Sequence, residues 1–260
     1  MLLKLLKYDF RAMWKQFSLI WGAALALALV NRFSIFMDVD DRAIHLRDTF
    51  ISSVPVFAFT AALIAMFVLS IIFVIQRFSK GLLGDEGYLM HTLPVRPWQL
   101  VASKLICGIV TWMASGVVAV LSPALMLPLN LPDLLQFPWE NLFRGMWKHP
   151  DAILMMLEFC LVILSFLVLF IASMYLAMAV GHLFSRHRRL ISVAAFIGLY
   201  ILIANLYGRV FSVRFVRSLM NMTTVNAYGS MLTASAIMLI PAAVFLAVTC
   251  WILEHKLNLE

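Results

Sequence analysis

Six stretches of this chain, at 17–37, 51–75, 105–129, 152–180, 190–207 and 231–253, are apolar over 18 to 29 residues. A helix needs about 20 such residues to cross the hydrocarbon core of a bilayer. Their repetition constrains the fold more than any other feature. In lipid every backbone N–H and C=O must be bonded internally, so stretches of this kind become helices. They take up just over half of the 260 residues, and only Arg32 and Glu158 among the charged residues fall inside them. The chain is 63% hydrophobic and 13% charged, where a soluble domain has about 45–50% apolar and about 25% charged residues. With a mean hydropathy of +0.97, a soluble enzyme, a disordered chain and a disulfide scaffold are excluded. The predicted fold class is all-α, a polytopic membrane protein with six transmembrane helices forming one domain over 1–260.

An even number of spans places both termini on one side. With the N-terminus inside, the inner segments hold Lys4, Lys7, Arg11, Lys15, Arg77, Lys80, Arg96, Lys104, Arg186, Arg188, Arg189 and Lys256. That is 12 basic residues against 7 outside (Arg42, Arg47, Arg144, Lys148, Arg209, Arg214 and Arg217). Orientation follows the lysine and arginine count, so both termini are expected in the cytoplasm. The same bias accounts for the formal charge of +7. No basic run is interleaved with aromatics in the manner of a nucleic-acid surface, so no nucleic-acid partner is expected.

Within residues 1–16, Lys4, Lys7, Arg11 and Lys15 recur every three or four positions, and Leu3, Leu6, Phe10, Met13 and Phe17 follow the same period on another face. That is the pattern of a basic helix lying in the membrane interface before the chain turns into its first span. A cleaved signal peptide is the competing reading of this end, disfavoured by the long periodic basic segment and the five spans that follow. Outside, Trp139, Leu142, Phe143, Met146 and Trp147 describe a short surface helix. Segment 208–230, with three arginines among apolar residues, reads as a re-entrant or interfacial helical pair.

No catalytic set stands out. The six histidines form no metal-binding spacing, the three cysteines are isolated in apolar stretches, and the glycines of GLLGDEG lack the lysine of a phosphate loop. No cofactor is expected in this chain, and it is not expected to be an enzyme. His182 and His187, beside three arginines, read as a positive-inside turn ahead of a pH sensor. Glu158 is the acid deepest in a span, and a carboxylate there is expected to face a bundle interior or a polar route; near the outer interface it would simply meet headgroups or water.

The inner loop 76–104 is too long for a plain connector. Gly81, Gly84 and Gly87 are expected to break the helix leaving the membrane, and Pro94 and Pro97 to bracket a turn before a new helix begins at Trp98. An exposed apolar anchor of Trp98 and Leu100, with Asp85, Glu86, Arg96 and Lys104 around it, would suit docking to another protein. Trp98 at the headgroups, as tryptophan often sits at a span end, is the simpler alternative.

The stretch GDEGYLMHTLPVRPWQLVASKL resembles the inner loop of ABC type-2 permeases, the membrane subunits of bacterial ABC exporters. The resemblance lies in Thr92, Leu93, Pro94 and Val95, then Ser103, Lys104 and Leu105 leading into the third span. LLKYDFRAMWKQF is similar to the family's N-terminal elbow helix. The resemblance implies a permease in the bacterial plasma membrane that pairs with a second permease, the same chain or a related one. It also implies that ATP and Mg are bound by a separate ATPase subunit docked on the long inner loop. An ion-coupled secondary transporter, or a membrane scaffold without transport of its own, are the rival classes.

Overall fold

A computed structural model describes residues 2–38, 46–83, 97–126, 150–184, 187–220 and 224–255. Six long helices account for them: α1 (Leu2–Asp38), α2 (Leu46–Phe78), α3 (Pro97–Met126), α4 (Pro150–His182), α5 (Arg188–Met220) and α6 (Thr224–His255). No strand occurs among the described residues. Each helix contains a segment long and apolar enough to cross a membrane: Leu5–Phe33, Val56–Leu83, Pro97–Leu125, Ile153–His182, Arg188–Gly208 and Met231–His255. Over its described residues the protein is all-helical, with the spans of a multi-pass membrane protein.

The helices overrun the apolar stretches that define them. At 1.5 Å per residue the 37 residues of α1 extend about 55 Å, against a hydrocarbon core of about 30 Å. No helix break separates residues 1–16 from the first span, since α1 runs unbroken from Leu2 to Asp38. Within segment 208–230 the described residues are helical as expected, but as continuations of α5 to Met220 and of α6 from Thr224, not as a separate pair. The helix expected at 139–148 lies outside the described residues.

The chain divides into two compact units, one of Met1–Leu2, Val74–Ile109 and Glu140–Glu260, the other of Leu3–Phe73 and Val110–Trp139. The first is organised around α4, every residue of which from Ile171 to Ala179 is buried. One of its faces, Leu169, Ala172, Leu176 and Ala179, packs with Ala242, Phe245 and Ile252 of α6. Both sets follow the three-and-four spacing of a helix stripe, and alanines let the backbones approach. Leu199, Ile203 and Tyr207 of α5 pack against this core.

Pro123 of α3 and Pro241 of α6 lie inside their helices, and each removes the N–H that would bond the carbonyl four residues earlier. Both carbonyls are served by hydroxyls. Pro241 of α6 strands the Ile237 carbonyl, which accepts a hydrogen bond of 2.9 Å from Tyr207 of α5. Pro123 of α3 strands the Ala119 carbonyl, which Ser122 approaches at 3.5 Å. The turn from α4 to α5 is tight: Leu183 N–H bonds the Val180 carbonyl at 3.1 Å, and His187 takes a left-handed φ of 67°. Gly181 is required there, because a Cβ at that position would collide with the Ser192 side chain.

In the second unit a polar knot ties three helices. Trp21 of α1 donates to Ser115 of α3 at 3.1 Å, and Ser115 lies 3.5 Å from Ser70 of α2, whose hydroxyl also donates to the Met66 carbonyl at 2.8 Å. Edge-to-face rings flank it, Phe17 on Phe73 and Phe67 on Trp112, each with centroids 5.0 Å apart. Both arrangements fit the ring quadrupole.

Candidate functional site

The ends of α2 and α3 that bound the long loop within 76–104 belong to the same unit as α4. At this end α2 does not break at Gly81. It widens into a π turn, Ser79–Leu83, with Gly81, Leu82 and Leu83 buried. A π turn holds one extra residue per bond and is often retained at functional positions. Gly84, Gly87, Asp85, Glu86 and Arg96 lie outside the described residues.

Just before the π turn, Phe78 stacks on Tyr175 of α4 with ring centroids 4.1 Å apart and planes at 14°. Both side chains are fully buried. Gly108 of α3 completes the junction: a Cβ there would stand 3.3 Å from Ile171 and 3.5 Å from Val74. The loop is therefore anchored at both ends against the most buried turns of α4.

As expected, α3 starts at Pro97, a residue suited to the first helical turn because its missing N–H has no intrahelical partner there. Trp98 is half exposed, whereas Leu100 is 2% exposed and Lys104 3% exposed. The expected pairing of Trp98 and Leu100 as exposed anchors is corrected by helix geometry. Residues two apart point to nearly opposite sides of a helix, so only Trp98 of the pair remains outward. Leu100, Val101, Lys104 and Cys107 form the buried stripe of α3. The Lys104 stem lies over Gly81, so that a Cβ at Gly81 would meet its Cε at 3.5 Å. Ser103 is buried and bonds the Leu100 carbonyl at 2.9 Å.

The structure does not bring Glu158 to this junction. At 1.5 Å per residue it stands about 26 Å along α4 from Tyr175. It does continue the inward face: Ser165, Ala172 and Ala179 follow it at seven-residue steps and all are buried. Most of its immediate neighbours, Leu154 to Leu157, Phe159 and Cys160, are exposed. The carboxyl Oε2 is buried without a hydrogen bond among the described residues. The hydroxyls deeper on α4 are spent on their own helix, Ser165 to the Leu161 carbonyl at 2.7 Å and Ser173 to Phe170 at 2.7 Å.

Among the described residues no three His, Cys, Asp or Glu side chains gather as a metal site. The π turn and the Phe78–Tyr175 stack carried no signal in the periodicity. Compared with known proteins, the chain matches no family model, no curated sequence and no solved structure.

Proposed function

We propose that this chain is the permease subunit of an ATP-driven exporter, of the ABC type-2 kind, in a bacterial plasma membrane with both termini in the cytoplasm. The chain would pair with a second permease and dock a separate ATPase subunit, which binds the ATP and Mg, on loop 76–104. The observation that supports this reading best is the anchoring of both loop ends on α4. A push on the loop reaches Phe78 and Gly108, and through the Phe78–Tyr175 stack it reaches α4. From there the shared core passes it to α6. Buried, close-packed contacts transmit displacement because they have no slack to absorb it. The energy of ATP binding on the partner would then bias two arrangements of the bundle. In this reading the first turns of α1, continuous with the span, sit at the inner headgroups in place of a separate elbow helix.

Glu158 supports a second reading, ion-coupled transport, because a carboxyl on the inward face of a span is the kind of group that carries protons or sodium. Extraction of the full chain with its neighbours in mild detergent separates the two. Under the exporter reading an ATPase co-purifies, Trp98→Ala weakens its retention or uncouples its activity, and Ser79→Cys resists an impermeant thiol reagent in intact cells. Failure of any ATPase to co-purify with the wild type, with transport that stops when the ion gradient is collapsed, sinks the exporter reading in favour of the second.

A further inference from the structure

The first turns of α1 contain a feature that transport by either route does not require. Between Lys4 and Lys15 the helix presents Lys7, Tyr8, Arg11, Trp14 and Lys15 outward, with Tyr8 72% and Trp14 65% exposed. Asp9, the acid in this stretch, is buried. Phe10, Arg11, Trp14 and Lys15 line a groove at the surface. Sharing Phe10 and Trp14 with it, and reaching further along α1 to Trp21, is an open-sided apolar cavity of about 90 Å³. Its further walls are Met13, Phe17 and Trp21 of α1 with Val110, Thr111 and Ala114 of α3.

The two spaces run in the direction a membrane lipid runs. With about 20 residues needed to cross the hydrocarbon, a span counted back from Phe33 ends at Trp14. Arg11 then lies at headgroup depth, and Lys15, just inside the edge, reaches it through its long stem. Phe17 and Trp21 then lie within the acyl region. The upper groove is walled mostly by apolar atoms, with the exposed basic side chains of Arg11 and Lys15 bordering it; such side chains lay their stems on apolar surface and carry the charge outward. The lower cavity is lined by rings and aliphatic groups with Thr111 among them. Trp14 sits at the boundary, where tryptophan is favoured.

We propose that this end of α1 holds one anionic phospholipid, its phosphate between Arg11 and Lys15 and part of an acyl chain in the cavity beneath Trp14. Lys7 adds to the attraction from one turn away. The cations give preference for an anionic headgroup over a zwitterionic one, and the cavity gives preference for a lipid over a free phosphate. The proposal stands apart from the permease reading and needs only that α1 enters the membrane.

Native mass spectrometry of the full-length protein tests it, after exchange into detergent containing equal phosphatidylglycerol and phosphatidylcholine. One phosphatidylglycerol should be retained in preference to phosphatidylcholine. At about fivefold per basic residue near a membrane surface, Arg11→Gln with Lys15→Gln should weaken retention about 30-fold. Arg11→Lys with Lys15→Arg should keep it. Trp14→Ala should weaken retention of both lipids, which a purely electrostatic surface would not do. Monodisperse elution confirms that each variant is folded. Equal retention of the two lipids, undiminished binding by the Gln variant, or displacement of phosphatidylglycerol by millimolar inorganic phosphate would each overturn the assignment.

Discussion

The Tyr207 hydroxyl is predicted to be worth more to this protein than an ordinary side-chain hydrogen bond, because of Pro241. The proline leaves the Ile237 carbonyl without its helical donor, and Tyr207 supplies one at 2.9 Å. Tyr207→Phe removes one oxygen and little packing, while leaving that carbonyl in an environment without water to take over. Hydrogen bonds between membrane helices average about 0.6 kcal/mol and reach about 1.7 kcal/mol. A stranded backbone carbonyl costs about 1–3 kcal/mol. We therefore expect Tyr207→Phe to destabilise by about 1.5 kcal/mol. Pro241→Ala restores the N–H and lets Ile237 close its own helical turn. In that background Tyr207→Phe should cost about 0.5 kcal/mol or less, giving a coupling of about 1 kcal/mol in the double-mutant cycle. Reversible unfolding in mixed micelles, with all four proteins measured under one condition, gives the cycle directly. An equal cost of Tyr207→Phe in both backgrounds would refute the argument, since the bond would then have no connection to the proline.

Two further predictions test other places. His187 occupies the left-handed region, which costs a residue with a Cβ about 1–2 kcal/mol; His187→Gly should raise the unfolding midpoint by an amount equivalent to about 1 kcal/mol, and a lowered midpoint would show that its side chain matters more than its backbone. Glu158→Gln removes a charge from the inward stripe of α4, so it should leave expression and unfolding unchanged or slightly improved while altering transport or stimulated ATPase activity several-fold; unchanged activity would place the residue at the outer interface.

The number of spans was legible because hydrocarbon leaves a chain no other way to bond its backbone. Span ends were less so: helix hydrogen bonding continues past the apolar stretch, as in α1, where Lys4 to Lys15 extend the same helix. The face of α3 was readable and was misread. Trp98 and Leu100 are close in sequence, but a 100° step per residue separates them, while Leu100, Val101, Lys104 and Cys107 share one side. The proline at 241 announces a stranded carbonyl, yet nothing local says that the donor comes from Tyr207, 34 residues earlier. The π turn at Ser79–Leu83 is likewise a tertiary product, held by the packing of Phe78 and Leu82 and closed over by Lys104.

The buried stretch of α4 also sets a timetable for synthesis. Its partner face on α6 lies about 70 residues downstream, from Ala172 to Phe245, which at about 5–20 residues per second is on the order of 4–14 s of translation. For that interval α4 is in the membrane without α6. Ser165 and Ser173 can wait there at little cost, because each already bonds its own backbone. Glu158 has no such internal partner among the described residues, which makes the first turns of α4 the part of the helix most dependent on water, headgroups or an insertion factor during that interval.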